Sequence, residues 1–482
     1  MNPSTFSIVA GALCALLLIA AWRLRPGVPG LPRSAATLHL EECWRLWVGF
    51  LLSGLVVGAL TSWWGGPAAP GALDYGFRMF QKPSGVDSWG PMRMASQHLR
   101  EHPEVHIYQE LFFGLGQKFQ YPLTSVLVVD LPQLLPGIND LSMITALQLI
   151  SRLCVPAIAL VFALLFVGAV RQQAGSAAAL RLPPAAQAVL AATGLASVLL
   201  FYPITRSEVI GQIQTLMTLA AGLALLAWQR GSPRLAGVMI GLCCIIKPHW
   251  GIVILWAALR RQWRLALPAL ATATFFVLIA LWKYGLANML DYLPVVSFIG
   301  KHGESFYANQ SVNGLVNRML FNGNNLQWLS HEFAPFHPLV HAATLASSIL
   351  LLGAILLWKR DKSPSVIDLA LVMLTLTIAS PIAWEHHYGL LLPVFAVLLP
   401  AVVRDRPWGA WTLPLAWAAF ILTSQSFVSV TNALADTRWN FAQSYLFFGA
   451  LIVLALLYRV SWSEGRAGRQ GTFTPAASAP AR

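Results

Sequence analysis

Eleven apolar runs, most near the length needed to cross a bilayer, decide what solvent this chain can fold in. They fall at about 6–22, 44–64, 141–170, 185–203, 208–229, 265–284, 338–358, 366–382, 388–403, 408–428 and 441–458. A helix needs about 20 residues to span the hydrocarbon, so the shorter runs need neighbouring helices to shield their ends. Of 482 residues, 57% are hydrophobic and only 11% charged, with a mean hydropathy of +0.62. Soluble proteins carry roughly 25% charged residues. Lipid must therefore replace water around most of this chain, which points to an all-α polytopic membrane protein.

The net charge of +13 does not describe a nucleic-acid binder, because the basic residues form no continuous stripe. They sit in short clusters at the ends of apolar runs: Arg23/Arg25/Arg33, Arg171/Arg181, Arg230/Arg234, Arg260/Arg261/Arg264, Lys359/Arg360/Lys362, Arg404/Arg406 and Arg459/Arg466/Arg469. That is the positive-inside pattern, and it assigns these connections to the cytoplasm. Cys14, Cys154, Cys243 and Cys244 lie in apolar runs, and Cys43 adjoins a basic segment. They read as small buried hydrophobes, with no disulfide or zinc spacing. The first run, Phe6–Trp22, has no basic region before it and is followed directly by Arg23. It reads as a retained helix with its N-terminus outside, not as a signal peptide.

Two apolar stretches do not fit as full crossings. Residues 119–136 hold Pro122, Pro132 and Pro136, and counting them as a span would invert every later loop. Residues 235–259 are interrupted at Lys247-Pro248 and have basic residues at both ends. Both are expected to be re-entrant or broken helices, which survive at membrane depth only against protein or a wet cavity. The expected organisation is one transmembrane domain over 1–462, with large outer loops at 65–118 and 285–337. A Gly/Ala/Ser/Pro/Arg-rich tail over 463–482 reads as disordered. Stretches of the first loop such as Trp89–Arg100 suit short interfacial helices.

Polar chemistry gathers in the outer connections. Asp87, in Ser84-Gly85-Val86-Asp87-Ser88-Trp89, reads as a general base on a hydroxyl or as an N-cap for the next helix. Asp74 competes as a base but equally suits a turn between Gly71 and Gly76. Tyr121, in Phe119-Gln120-Tyr121-Pro122, is either an interfacial aromatic or a substrate contact. Arg206 suits a rim ion pair with Glu208 or a lipid phosphate, which its planar fork binds through two hydrogen bonds. Lys247 reads as an intramembrane functional charge or as a lysine snorkelling to the basic side. Asn309-Gln310-Ser311, formally a glycosylation sequon, precedes Arg318 beside Phe306 and Tyr307. Such a set suits sugar hydroxyls and a phosphate, or an ordinary solvated loop. In Trp384-Glu385-His386-His387 the adjacent histidines lack metal-ligand spacing, and phosphate or substrate hydrogen bonding suits them better.

Taken in order, these residues resemble glycosyltransferase family 87. The matching elements are Asp87, Tyr108, Phe119-Gln120-Tyr121-Pro122, Arg206-Ser207-Glu208 with Gly211-Gln212, and Gly241…Lys247-Pro248 followed by Arg260-Arg261-Gln262-Trp263-Arg264. The set closes with Asn309-Gln310-Ser311…Gly314…Arg318 and Ser380-Pro381-Ile382-Ala383-Trp384-Glu385-His386-His387. Two departures are Leu123 where the family often has a second Pro, and an additional segment before Trp44.

The resemblance implies a GT-C bundle of about 11–13 transmembrane helices in a bacterial plasma membrane, with the active site at its periplasmic or extracellular face. It implies an inverting transferase moving a sugar, mannose by family analogy, from a polyprenyl-phosphate donor to a lipid or glycan acceptor. Asp87 matches the family's base. Arg318, His386, His387, Arg206 and Lys247 are then expected to face the donor phosphate, and Tyr121, Asn309, Gln310, Trp384 and Glu385 the substrates. No cofactor and no metal are expected. A glycolipid transporter or flippase, using the same polar groups as a path, is the alternative, and a non-catalytic scaffold a further one.

Overall fold

A computed structural model describes residues 34–65, 71–102, 104–173, 182–358 and 364–470, with residues 15–16 and 19. The expected first helix, 6–22, lies almost wholly outside the described residues, as do 471–482. The described chain is helical, with a single antiparallel bridge, Asn309 to Trp384, as its only strand-like pairing.

The helices are, in order, α1 (Ala35–Gly65), α2 (Ala72–Gln81), α3 (Trp89–Glu101), α4 (Leu123–Asp130), α5 (Asp140–Gln173), α6 (Pro184–Leu199) and α7 (Tyr202–Ile210). Then come α8 (Gln214–Gln229), α9 (Pro233–Ile246), α10 (Gly251–Leu259), α11 (Trp263–Leu290), α12 (Tyr292–His302) and α13 (Val312–Met319). The chain finishes with α14 (Pro338–Leu357), α15 (Val366–Ala379), α16 (Leu391–Asp405), α17 (Thr412–Ser424), α18 (Val428–Thr431) and α19 (Tyr445–Gln470). Six described helices have the length and composition to cross a membrane, and eight do if each of two bent pairs counts as one span. The protein is an all-α polytopic membrane protein. The shorter α8 and α15 lie among these spans, α8 meeting α5 through Gln229 and α15 meeting α19 through Asp368.

Side-chain hydrogen bonds bind the long helices where both partners are buried in an apolar setting. The indoles of Trp44 and Trp47 on α1 donate to Thr193 Oγ1 (3.2 Å) and Ser197 Oγ (2.8 Å) on α6. Each bond satisfies a polar group that lipid or core could not. The basic connections meet at one end. There Arg404 donates to the Gln173 carbonyl, Arg406 pairs with Glu42, Arg459 donates to the Pro407 carbonyl, and Arg260 to those of Ile355 and Trp358.

Both irregular segments behave as their sequences predict. The chain climbs along α9 from the basic end, breaks at Lys247-Pro248, and returns along α10 to Arg260. This hairpin packs against α11 through Gly237 and Gly241, where a Cβ would lie 2.3 Å from the Leu265 carbonyl and 2.7 Å from that of Ala269. Small residues permit that approach. Helix α4 has eight residues, too few to cross. Its last residue, Asp130, accepts from Ser96 and from Tyr284 (2.7 Å), which ties it to the outer helix α3 and the outer end of α11.

Two boundaries differ from expectation. Helix α11 continues to Leu290 across a break at Gly285 (φ 79°), so the second loop opens later than residue 285. Helix α19 runs to Gln470, eight residues into the expected tail, because Ser463 through Gln470 contain no proline and continue the helical register. Trp89–Glu101 is a short helix, as the first loop's pattern suggests.

Gly211 ends α7 at φ 75°, and a Cβ there would lie 1.9 Å from the Gly85 carbonyl oxygen. Gly211→Ala therefore combines backbone strain with a clash, and should destabilise the protein by roughly 2 kcal/mol or more. Thermal unfolding in lipid nanodiscs measures the loss.

Candidate active site

The segment carrying Asp87 is held by backbone pairing to the α7–α8 junction. Gly85 N donates to Val209 O (2.9 Å), Asp87 N to Ile210 O (3.0 Å) and Ser88 N to Gly211 O (3.1 Å). Behind it, buried Glu208 accepts from Ser84 Oγ and from Arg152 Nε (3.1 Å), while Arg152 also donates to the Lys82 carbonyl (2.9 Å). Gln148 donates to the carbonyls of Ser84 and Gly85. Glu208 thus belongs to the clamp behind the loop and pairs with Arg152, and the rim ion pair with Arg206, one of the two readings of the sequence, does not form.

The Asp87 carboxylate faces a cavity of about 640 Å³ and accepts a hydrogen bond from Gln212 Nε2. It caps no helix: the residue preceding α3 is Ser88, whose hydroxyl instead meets Tyr121 (2.8 Å) and Gln212 (2.7 Å). Burial pushes the Asp87 carboxyl up from the ordinary aspartate range, against the Gln212 hydrogen bond and the Arg206 charge, which draw it down. Asp74 stays out of this cavity. Its carboxylate accepts from Gly71 N (2.8 Å) and Ser62 Oγ (3.1 Å) at the start of α2, the turn role its flanking glycines suggest.

Arg206, Lys247, His249, His386 and His387 line the same cavity. Lys247 does not snorkel to the basic end. It sits at the hairpin apex with Nζ 3.0 Å from Gln214 Oε1, because α9 carries it the full height of the hairpin before Pro248 stops the helix. Arg206 donates to the Tyr75 hydroxyl, its guanidinium 5.0 Å from that ring. Trp384 N donates to His387 Nδ1 (3.2 Å), which leaves the ring proton of a neutral His387 on Nε2. His386 Nε2 is buried without a hydrogen-bond partner, a feature expected of a group that meets a ligand. His249 is the member that sequence reading misses. The signal was the Lys-Pro break itself, which places the next residues at the apex.

Trp384 and Glu385 also line the cavity. Glu385 is 1% exposed and accepts from the hydroxyls of Tyr202 (2.9 Å) and Tyr445 (3.1 Å). Three expected ligand contacts do not reach the cavity. Arg318, fully buried, donates to the carbonyls of Ser305 (3.3 Å), Phe306 (3.2 Å) and Asn309 (3.0 Å) and to Ser444 Oγ (2.6 Å). Gln310 donates to the carbonyls of Tyr307 and Gln443 (both 2.7 Å) and accepts from Phe447 N (3.1 Å). Asn309 donates to the Glu304 carbonyl (2.9 Å) and accepts from Ala383 N (3.0 Å). The irregular backbone at 303–311 needs these donors more than a substrate does. Their effect on the site is indirect: the Asn309–Trp384 bridge, with Glu385 N donating to Ala308 O (3.0 Å), fixes the strand that presents Trp384 and Glu385.

One wall of the cavity is apolar, formed by Ile252, Val296, Ile299, Leu352 and Leu376. No three His, Cys, Asp or Glu side chains converge in metal-binding geometry among the described residues. A second concavity of about 690 Å³ lies at the basic end, where Arg45–Glu41 and Arg406–Glu42 are already paired.

The Asp87 carboxylate, a cluster of cationic and imidazole groups, and an adjoining apolar wall thus meet in one cavity of a membrane protein. The chain belongs to glycosyltransferase family 87, whose model matches residues 119–381. Asp87 and the Glu385-His386-His387 run lie outside the matched segment. Among relatives, it is 29% identical over 267 residues to a polyprenol-phosphate-mannose-dependent alpha-(1-2)-phosphatidylinositol pentamannoside mannosyltransferase of Mycobacterium tuberculosis (strain CDC 1551 / Oshkosh), covering 52% of this chain and 55% of the relative. It is 28% identical over 240 residues to the protein of that description in Mycolicibacterium smegmatis, covering 47% and 53%. The chain thus matches about half the length of these curated relatives.

Removing Arg318 takes the donor from the Ser305 and Asn309 carbonyls and from Ser444 Oγ, while Phe306 O keeps the Asn309 N–H, so Arg318→Leu should destabilise the protein by about 3 kcal/mol. Lys247→Met removes a half-buried cavity charge with one neutral partner and should leave stability nearly unchanged. Thermal unfolding of the two variants side by side separates the structural cation from the cavity cation.

Proposed function

We propose that the protein is an inverting glycosyltransferase that takes a sugar from a polyprenyl-phosphate donor, with Asp87 as general base. The observation that carries this reading is the convergence, in one cavity, of the cavity-facing Asp87 carboxylate with Arg206, Lys247, His386 and His387 beside an apolar wall. Asp87 accepts the proton of an acceptor hydroxyl. The oxygen attacks the anomeric carbon from the face opposite the phosphate, and the carbon–oxygen bond to the donor phosphate breaks. The bonding pair leaves with the polyprenyl phosphate, whose growing charge faces the cationic and imidazole groups. Pre-placed donors in a water-poor site need little reorganisation as that charge develops.

The Gln212 amide holds the Asp87 carboxylate in place, and the raised affinity of Asp87 for a proton makes it a stronger base than a solvated aspartate. Arg318, Asn309 and Gln310 have positioning roles only. Mannose is the proposed sugar, in line with the donor named for the mycobacterial relatives, and a glycolipid the proposed acceptor class. The cavity lies at the end opposite the basic connections, which supports an exoplasmic site in a bacterial plasma membrane.

Asp87→Asn should lower sugar transfer from polyprenyl-phosphate-mannose by about 10²–10⁴-fold without unfolding the protein. Equal rates in the two proteins would remove Asp87 from the mechanism. Because burial raises the Asp87 pKa, the base form is lost as pH falls through that raised value. The acidic limb of kcat/KM should therefore lie above the ordinary aspartate range, and Asp87→Asn should abolish it. A pH–rate profile of both proteins checks this.

A further inference from the structure

The cavity has a third wall that the donor chemistry does not use. Toward the outer loops it is lined by Gln117, Lys118, Gln120, Trp328 and Ser330. Trp328 is 46% exposed, and it stands in an irregular stretch between α13 and α14, outside the apolar spans. Most of the site's buried polar side chains are bound to protein. Here the opposite holds: the Gln117 and Gln120 amides, the Ser330 hydroxyl and the Trp328 indole N–H make no hydrogen bond to protein among the described residues.

The platform is built, not incidental. Lys118 sits beneath Trp328, its Nζ 5.3 Å from the ring centroid and 2.6 Å from Glu304, and both side chains of the pair are nearly buried. That arrangement spans the two outer loops and props the indole from below. The stretch is tied down on either side of Trp328. Tyr307 N donates to Asn325 O (2.9 Å), and Asn325 Nδ2 to the Ala435 carbonyl (3.0 Å). Farther on, the His302 ring meets the Ala334 carbonyl (3.0 Å). The backbone on either side of Trp328 is thereby anchored, and the indole is presented at the cavity against Lys118.

An exposed aromatic face flanked by unpaired amides and a hydroxyl is the chemistry that recognises a carbohydrate. The C–H face of a pyranose stacks on the ring, and its hydroxyls exchange hydrogen bonds with the amides. An anionic group would find only Lys118, already neutralised by Glu304. A lipid chain would leave the amides unsatisfied.

We propose that Trp328, with Gln117, Gln120 and Ser330, is a subsite for a sugar unit of the acceptor, so that the acceptor is recognised by a glycan and not by its lipid alone. This rests on the transferase reading above. It assigns three chemistries to three walls of one cavity: apolar for the polyprenyl chain, cationic for the phosphate and aromatic-amide for the acceptor glycan.

The test uses octyl α-mannoside as acceptor probe, polyprenyl-phosphate-mannose as donor, and the full chain in lipid nanodiscs. Trp328→Ala should raise the acceptor KM about tenfold, with donor KM unmoved, and Trp328→Phe should recover most of the loss. An unchanged acceptor KM in folded Trp328→Ala, or a rise in donor KM instead, overturns the subsite. Direct titration of the probe into the Asp87→Asn protein, with and without Trp328→Ala, needs no turnover. Saturable binding weakened by loss of Trp328 supports the subsite even if the transferase reading fails. Absence of saturable binding, or binding indifferent to Trp328, overturns it whatever the activity.

Discussion

Polar groups carried into the bundle need partners there, since hydrocarbon offers none. The shape of the site follows from how the irregular segments meet that demand. Between α12 and α13 the backbone leaves helical geometry, and its carbonyls become acceptors in need of donors. Arg318, Asn309 and Gln310 supply them, reaching across to the segment before α16 and to the start of α19. The pairing is reciprocal: Asn309 both closes its own loop and holds Ala383, so Trp384 and Glu385 are fixed by the same bonds that satisfy the loop.

The other half of the cavity is organised by backbone contact. Gly85 and Gly211 meet so closely that neither position has room for a side chain, and the strand following Gly85 runs against the end of α7. Asp87 is thereby placed by peptide groups and not by its own side chain, which leaves the carboxylate free for chemistry. A single conformation of the carboxylate is then favoured by Gln212, a residue on the junction that also holds the backbone.

Much of this was legible in the sequence. The basic and polar ends and the two irregular stretches follow from hydropathy, charge and proline placement, which act locally; the count of crossings does not, since six to eight described helices can cross where eleven runs were expected. The grouping of Asp87, Tyr121, Arg206, Lys247, Trp384, Glu385, His386 and His387 in one cavity also agrees with expectation. What failed was the assignment of polar residues within a shared loop. Arg318, Asn309 and Gln310 have the composition of a sugar-phosphate site, and nothing in their types reveals that backbone carbonyls had a prior claim on them. His249 and Trp328 escaped for the converse reason. His249 follows the Lys247-Pro248 break, whose depth in the bundle only the packing reveals, and Trp328 lies in an unremarkable local pattern that long-range contacts bring to the cavity.

The α9–α10 hairpin has a consequence for how the protein is made. Both of its ends lie at the basic face, and its apex carries Lys247 far from either end. A lysine at that depth is costly in bare lipid, and Gln214 on α8 is its one hydrogen-bonding partner among the described residues. The hairpin is therefore a poor candidate for independent insertion. It becomes stable only once α8 stands on one side and the small-residue face toward α11 is covered on the other, and α11 is synthesised after it. The small-residue face at Gly237 and Gly241 is thus covered by a helix made after both arms of the hairpin.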